Sequence, residues 1–276
     1  DLKFTPKSSI TLGSELVYNV YVPVAEYLKS FTVDGNSYTD LETVTLDGKE
    51  YYLVKIALPA AEAARDIVLK ATVTADGKDY TGTWTMSIPK YAQKIIATGS
   101  EVEKTLVKDV LAYIKAAYVY FGKEDSEAIA KIDAVLGDYN STFAKVAGNT
   151  NTAEGLKSVI IVLEESPAIR FVLPEGVSAE GYTFTAGGKK LDYTTGTYTE
   201  GEKTYTYAEV KLFAYQLIDE IEYTDGTYSG SYHINSYYDF ITTDEEYKSN
   251  ANLITLVEKL YTYARSAESY RASVAD

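Results

Sequence analysis

A chain of 276 residues, 46% apolar and 24% charged, has the composition of a globular protein, which excludes disorder as its main state. Acids outnumber bases 40 to 26, so the net charge of −14 repels a phosphate backbone, and nucleic acid is not an expected partner. With no Cys and one His, disulfide scaffolds, thiolate nucleophiles, cysteine-ligated zinc, iron–sulfur clusters and His-rich metal sites are excluded, and no cofactor is expected.

The opening Asp1-Leu2-Lys3-Phe4 carries no initiator Met and no apolar leader, so the chain reads as a piece of a longer one; no run approaches the roughly 18 apolar residues of a membrane span. Residues 10–22 and 51–58 hold Val, Ile, Tyr and Leu in partial alternation. Asp34-Gly35, Asp47-Gly48 and Asp76-Gly77 separate such runs, at places where hairpin turns need a positive φ. Antiparallel strands are expected. Ser87 then caps a short helix that accepts Pro89 in its first turn and stops at Gly99. Ser100 and Glu103 form a capping box for a second helix, whose stripe of Leu106, Val110, Ile114, Ala117 and Phe121 ends at Gly122. Residues 123–155 are expected to be a helical connector with two apolar patches, Ile129-Ile132-Leu136 before Gly137 and Tyr139-Phe143-Val146. Gly148 through Thr152 then make a flexible joint.

From residue 156 the pattern begins again. Ile10-Thr11-Leu12 through Pro23 matches Ile161-Val162-Leu163 through Pro174 without a gap, and Phe31-Thr32-Val33 meets Tyr182-Thr183-Phe184 in the same register. Val54-Lys55-Ile56 corresponds to Val210-Lys211-Leu212, and Tyr80 through Trp84 to Tyr228 through Tyr232. Leu106, Val110 and Tyr113 fall on Leu256, Leu260 and Tyr263 at one offset. The fold expected is α+β: a tandem duplication of an antiparallel β-sandwich-like module, residues 1–122 and 156–276, each copy closed by a short and a long helix whose apolar stripe packs on its sheet. Most of the acidity falls in the second copy.

The run Ser87-Ile88-Pro89-Lys90-Tyr91-Ala92-Gln93-Lys94-Ile95-Ile96, with Leu106-Val107, Leu111-Ala112-Tyr113 and Ala116-Ala117-Tyr118-Val119-Tyr120-Phe121 after it, resembles a repeated module of large secreted and cell-surface proteins of gut clostridia, ruminococci included. The likeness is clearest over residues 10–122 and weaker over 156–271, where His233-Ile234-Asn235-Ser236-Tyr237-Tyr238 stands in for the first run. It implies an extracellular, cell-surface location and a non-catalytic role, and it carries over no functional residue.

The chemistry legible in the residues is sparse. His233 stands at the place of Ser87 and reads as a capping residue, since no Ser-Asp-His spacing or nucleophile elbow accompanies it. Glu164-Glu165 and Asp244-Glu245-Glu246 read as solvated turns and a helix start rather than glycosidase acid pairs or calcium ligands. Asn140-Ser141-Thr142 matches the N-glycosylation pattern, which carries no meaning by itself in a bacterial protein. Tyrosine is the one unusual feature, 27 against 8 Phe and a single Trp. A tyrosine ring packs on a sugar while its hydroxyl bonds to it, and its two torsions cost little entropy to fix; it is also a good strand former. The stretch from Tyr193 to Tyr207 has four Tyr and several Thr around a turn. Tyr238 stands where the first copy has Ala92 and should be forced outward. Tyr193, Tyr198, Tyr205, Tyr207 and Tyr238, with Trp84 in the first copy, are therefore the candidate carbohydrate-stacking rings of a monomer that binds a starch-like polysaccharide. The alternative is a structural spacer or protein-adhesion module.

Overall fold

The computed structural model describes residues 4–123, 125–148, 152–163 and 167–275; Glu164-Glu165 and positions 149–151 of the joint lie outside the described residues. Over them the chain is mixed α and β, with four antiparallel four-stranded sheets and five α-helices. The first half lays down β1 (Lys7–Leu12), β2 (Leu16–Pro23), β3 (Leu28–Val33), β4 (Asn36–Ser37), β5 (Thr43–Leu46), β6 (Lys49–Leu58), a 3-10 turn at Ala60–Glu62, β7 (Ile67–Ala75) and β8 (Lys78–Met86). One sheet has the order β1-β2-β6-β5, the other β4-β3-β7-β8. The second half lays down β9 (Ser158–Val162), β10 (Ala168–Val172), β11 (Thr183–Ala186), β12 (Lys189–Leu191), β13 (Tyr193–Glu200), β14 (Lys203–Lys211), a 3-10 turn at Ala214–Ile218, β15 (Ile221–Thr224) and β16 (Ser229–Tyr232). Its sheets have the orders β9-β10-β14-β13 and β12-β11-β15-β16.

Local chemistry explains the turns and caps. Asp34-Gly35, Asp47-Gly48 and Asp76-Gly77 all take positive φ at both residues, the geometry that closes two-residue hairpins with the twist of their strands. Ser87 accepts the Lys90 N–H at the start of α1 (Ile88–Thr98), and Ser100 with Glu103 forms the reciprocal box that opens α2 (Glu101–Tyr120). In the second half His233 and Asn250 cap α4 (Ile234–Thr243) and α5 (Ala251–Ser273).

Two ring contacts show how the sheets of each half meet. Phe31 on β3 lies 6.0 Å from Tyr52 on β6, and Phe171 on β10 lies 4.8 Å from Phe184 on β11. Leu106, Val110 and Ile114, and Leu256, Leu260 and Ala264, are buried as their stripes require. The nearest neighbours of those helices are not strands but the Ala60–Glu62 turn and α1 beside α2, and the Ala214–Ile218 turn and α4 beside α5. α2 and α5 also pack on each other, antiparallel, with Tyr113 stacked on Tyr263 at 5.6 Å and both rings buried. Small residues on one side of α2, Ala112 and Ala116, let the helices approach, and the buried Asp109 accepts a hydrogen bond from Ser266 of α5.

The connector is helical only in part. α3 (Ser126–Leu136) ends at Gly137, at φ 55°, as the sequence expects. Tyr139, Phe143 and Val146 have helical spacing but form no helix; Tyr139 docks on α2 instead, and Phe143 and Val146 on α4 and α5. Tyr139 donates to Asp109 at 2.8 Å, Phe143 lies 4.7 Å from Tyr238 and 5.3 Å from Tyr261, and the Val146 N–H donates to the Tyr261 hydroxyl at 2.8 Å. Existing helix surface offers these three residues burial that an isolated turn of helix would not.

The strand ladders correct the alignment of the two halves. Val20 pairs with Val54, and Phe171, which matches Val20 in sequence, pairs with Ala208. Ala208, not Val210, therefore holds the place of Val54. Likewise Met86 pairs with Ile67 just before the Ser87 cap, and Tyr232 pairs with Ile221 just before the His233 cap. Tyr232 thus shares its place with Met86 and not with Trp84.

Candidate functional site

Three of the six candidate rings come together. Cross-strand pairing sets Tyr198 opposite Tyr205 and Gly196 opposite Tyr207, so Tyr198, Tyr205 and Tyr207 share one face of the β13–β14 hairpin. The opposite face carries buried Ala208 and Val210 beside Phe171, toward the partner sheet, so the tyrosine face is the outer one. Tyr198 and Tyr205 stack at 5.5 Å. Tyr207 leans across Gly196, where any Cβ would run into its ring.

Cations cover these rings. The Lys157 ammonium lies 3.7 Å from the centre of Tyr205, donates to the Tyr198 hydroxyl at 2.9 Å and pairs with Glu200, whose hydrogen bond holds the lysine pKa above its ordinary value. The Arg170 guanidinium sits 4.7 Å from the centre of Tyr207 and pairs with Glu209 at 2.6 Å. Such pairs draw on the negative ring face, which is also the face a sugar would use. Tyr205 is only 8% exposed, whereas Tyr198 and Tyr207 are half-buried.

The other three candidates stand elsewhere. Tyr193 points to the inner side of β13, with its ring 5.1 Å from Phe184 and its hydroxyl donating to the Ala179 carbonyl at 2.9 Å. Trp84 pairs across its ladder with buried Leu69 and lies 5.1 Å from Phe4, so it closes one end of the first half's core. Tyr238 does not project freely. It is half-buried against Phe143 and donates to Glu258 at 2.8 Å, and burial followed by that bond raises its pKa to about 12. The added ring found room because the connector supplies Phe143 as a partner there.

The first half repeats the lysine device. Lys7 stands 5.5 Å from the centre of Tyr51, which is buried, and pairs at 2.6 Å with Asp47 of the β5–β6 turn. Glu200 is the last residue of β13, one position short of the turn that leads to β14. A lysine that reaches the end of a hairpin over a tyrosine ring is thus common to both halves.

His233 is a buried cap. Its Nδ1 accepts the Asn235 N–H at 3.0 Å, which leaves Nε2–H to donate to the Ile218 carbonyl at 2.9 Å. Burial, more than any neighbour, lowers its pKa from 6.5. The unfolded chain therefore takes up a proton below 6.5 that the folded chain resists, so this contribution to stability is complete above 6.5 and is lost as the pH falls toward the folded value. Urea unfolding on both sides of 6.5 should show a steeper acid loss for the wild type than for His233→Asn, which keeps an acceptor at the cap; equal pH slopes would remove His233 as the cause.

Among the described residues no group of three or more His, Asp or Glu is placed to hold a metal ion, and no helix is long and apolar enough to cross a membrane. Asp244 ends α4, and Asp244-Glu245-Glu246 form a solvated turn. Sequence reasoning missed the exposed rings Tyr80, Phe213, Tyr228 and Phe240. It also missed Tyr91, Tyr215 and Tyr270, which border a cleft beside α1 and α2. Only the apolar spacing of α1 hinted at that cleft, and the same spacing describes an ordinary buried helix. No protein-family model and no curated protein matches the chain.

Proposed function

We propose that the chain is a tandem duplication of one β-sandwich-like module from a bacterial cell-surface protein of the gut clostridial kind, extracellular and non-catalytic, and that it binds a starch-like polysaccharide. The identical strand orders and helix sequence of the two halves support the duplication. The observation that carries the binding reading is the outer β13–β14 face, where Tyr198, Tyr205 and Tyr207 line up between Lys157 and Arg170. A pyranose ring laid along that face would stack on Tyr198 and Tyr207, while the lysine and arginine N–H groups, shifted from the ring faces, would donate to its hydroxyls.

Affinity electrophoresis on a panel of soluble and insoluble polysaccharides tests this. Tyr198→Ala and Tyr207→Ala, in protein with unchanged circular dichroism, should each weaken binding by about 1–3 kcal/mol, the scale of aromatic stacking on other ring-shaped ligands. Retention equal to that of the parent would place the site off this face. A parent that passes through the whole panel would favour the second reading, a spacer or adhesion module. That reading has its own support: the Lys7–Tyr51–Asp47 arrangement shows the same kind of ring under a lysine where the ring is buried and offers no open face to a ligand.

A further inference from the structure

Between β1, α1 and α2 of the first half and the last turns of α5 lies a cleft of about 390 Å³. That is the size of a small-molecule or side-chain site. Its floor is aliphatic, and Ile10, Leu12, Ile95 and Val107 on it are only half-buried. Tyr91, Tyr215 and Tyr270 stand around it, with Arg271 lying 4.6 Å from the centre of Tyr215.

On the duplication reading, the second half holds the same positions closed. The caps align Ser87 with His233 and Ser100 with Asn250, so Ile95 answers to Ile241 and Val107 to Val257; both of these are 0% exposed. Ile161 and Leu163, which match Ile10 and Leu12, are buried as well. Several differences separate the halves, among them three that bear on the cleft. Tyr238 replaces Ala92, Leu253 replaces Glu103, and residues Asp244–Asn250 join α4 to α5 where the first half has only Gly99 and Ser100 between its helices. That longer connection carries Tyr247, which is half-buried against the core with its ring 5.3 Å from Phe240. Its hydroxyl also stands near enough to Tyr237, the residue matching Tyr91, to help raise that tyrosine's pKa, after burial and Tyr120.

We propose that the open cleft of the first half is a docking site for a tyrosine-bearing segment of a partner polypeptide, which supplies from outside the aromatic cover that the Tyr247 connection supplies from within in the second half. A flat ring suits the aliphatic floor, and a phenol hydroxyl beside Tyr91 and Tyr270 keeps hydrogen-bond partners that a purely apolar side chain would leave unused. The inference rests on the duplication for its choice of occupant, and on the cleft alone for the existence of a site.

Amide NMR spectra of the intact chain, titrated with p-cresol as the bare tyrosine side chain and with a synthetic peptide of the sequence of residues 244–250, test it. Saturable shifts should gather on β1, α1 and the end of α5, and the peptide with its Tyr replaced by Ala should produce none. Val107→Trp should fill the cleft and lower p-cresol affinity by about tenfold or more, which is about 1.4 kcal/mol, with no loss of melting temperature. Should that variant unfold, the shift map of the wild type decides by itself. Absence of saturable shifts around the cleft overturns the site. Shifts with p-cresol but not with the peptide overturn the polypeptide partner in favour of a small aromatic ligand. An experimental structure in which the halves do not superpose, together with p-cresol binding, would sink the duplication and leave the site standing.

Discussion

Replacing Tyr263 with Ala is expected to destabilise the chain by about 3–5 kcal/mol, a cost in the range measured for large aromatic truncations in cores. Tyr263 is 3% exposed and Tyr113, its stacking partner, 2%, and burial drives the pKa of both phenols upward. The residual void would lie between two long helices that are already held on other sides, α2 by α1 and the Ala60–Glu62 turn and α5 by α4 and the Ala214–Ile218 turn, so little collapse is available to refill it. Tyr263→Phe keeps the ring and should cost about 1 kcal/mol or less, which isolates the packing from the hydroxyl. The double variant with Tyr113→Ala should lose less than the sum of the two single losses, because the stacking contact is shared. Urea unfolding of the wild type and the four variants, Tyr113→Ala included, measures these losses. A loss below about 1 kcal/mol for Tyr263→Ala would show that the α2–α5 seam contributes little to holding the fold together.

Leu256→Ala should cost more than Leu106→Ala, although both fall within about 2–5 kcal/mol. Both side chains are buried, at 1% and 5% exposure. Leu106 borders the cleft, so the space left by truncation opens into volume that solvent already reaches. Leu256 lies in the closed surroundings of Val257 and Leu253, where the lost methyl groups leave an enclosed void. Equal losses, or the reverse order, would show that the two halves do not differ in closure at this depth.

Much of the local architecture was legible because it rests on single residues with one physical use. An Asp-Gly pair that must turn at positive φ, a Ser that caps, or a Gly that stops α3 announces its place without any knowledge of the rest. Register was not legible to the same depth. A strand pattern repeats every two residues, so matching Val54 to Val210, or Trp84 to Tyr232, keeps every side chain on its proper face while slipping the ladder by one repeat. Only the pairing of Phe171 with Ala208 and of Met86 with Ile67 removes that ambiguity.

The same limit affects the tyrosines. Alternation along β13 separates Tyr193 from Tyr198, but it does not say which face is the inner one; that depends on Phe184 in another sheet. Its exchange with Ala92, taken alone, sends Tyr238 outward; what the exchange does not contain is Phe143, a residue nearly a hundred positions earlier that packs against it. Nor could the helix pair be foreseen. α2 buries Leu106, Asp109, Ala112, Tyr113 and Ala116 on more than one side, and a helix that is apolar beyond a single stripe does not name its second partner.

The antiparallel contact of α2 with α5 also fixes the size of the cooperative unit. Each half commits part of the apolar surface of its longest helix to the other half, so neither encloses a complete interior alone. A half released from the other would bare Tyr113 or Tyr263 together with the flank around it, a sticky surface whose readiest cover is the same helix of another molecule. Exchange of halves between molecules is then the natural failure of this architecture, and keeping both halves on one chain, at high effective concentration, is what holds it in check.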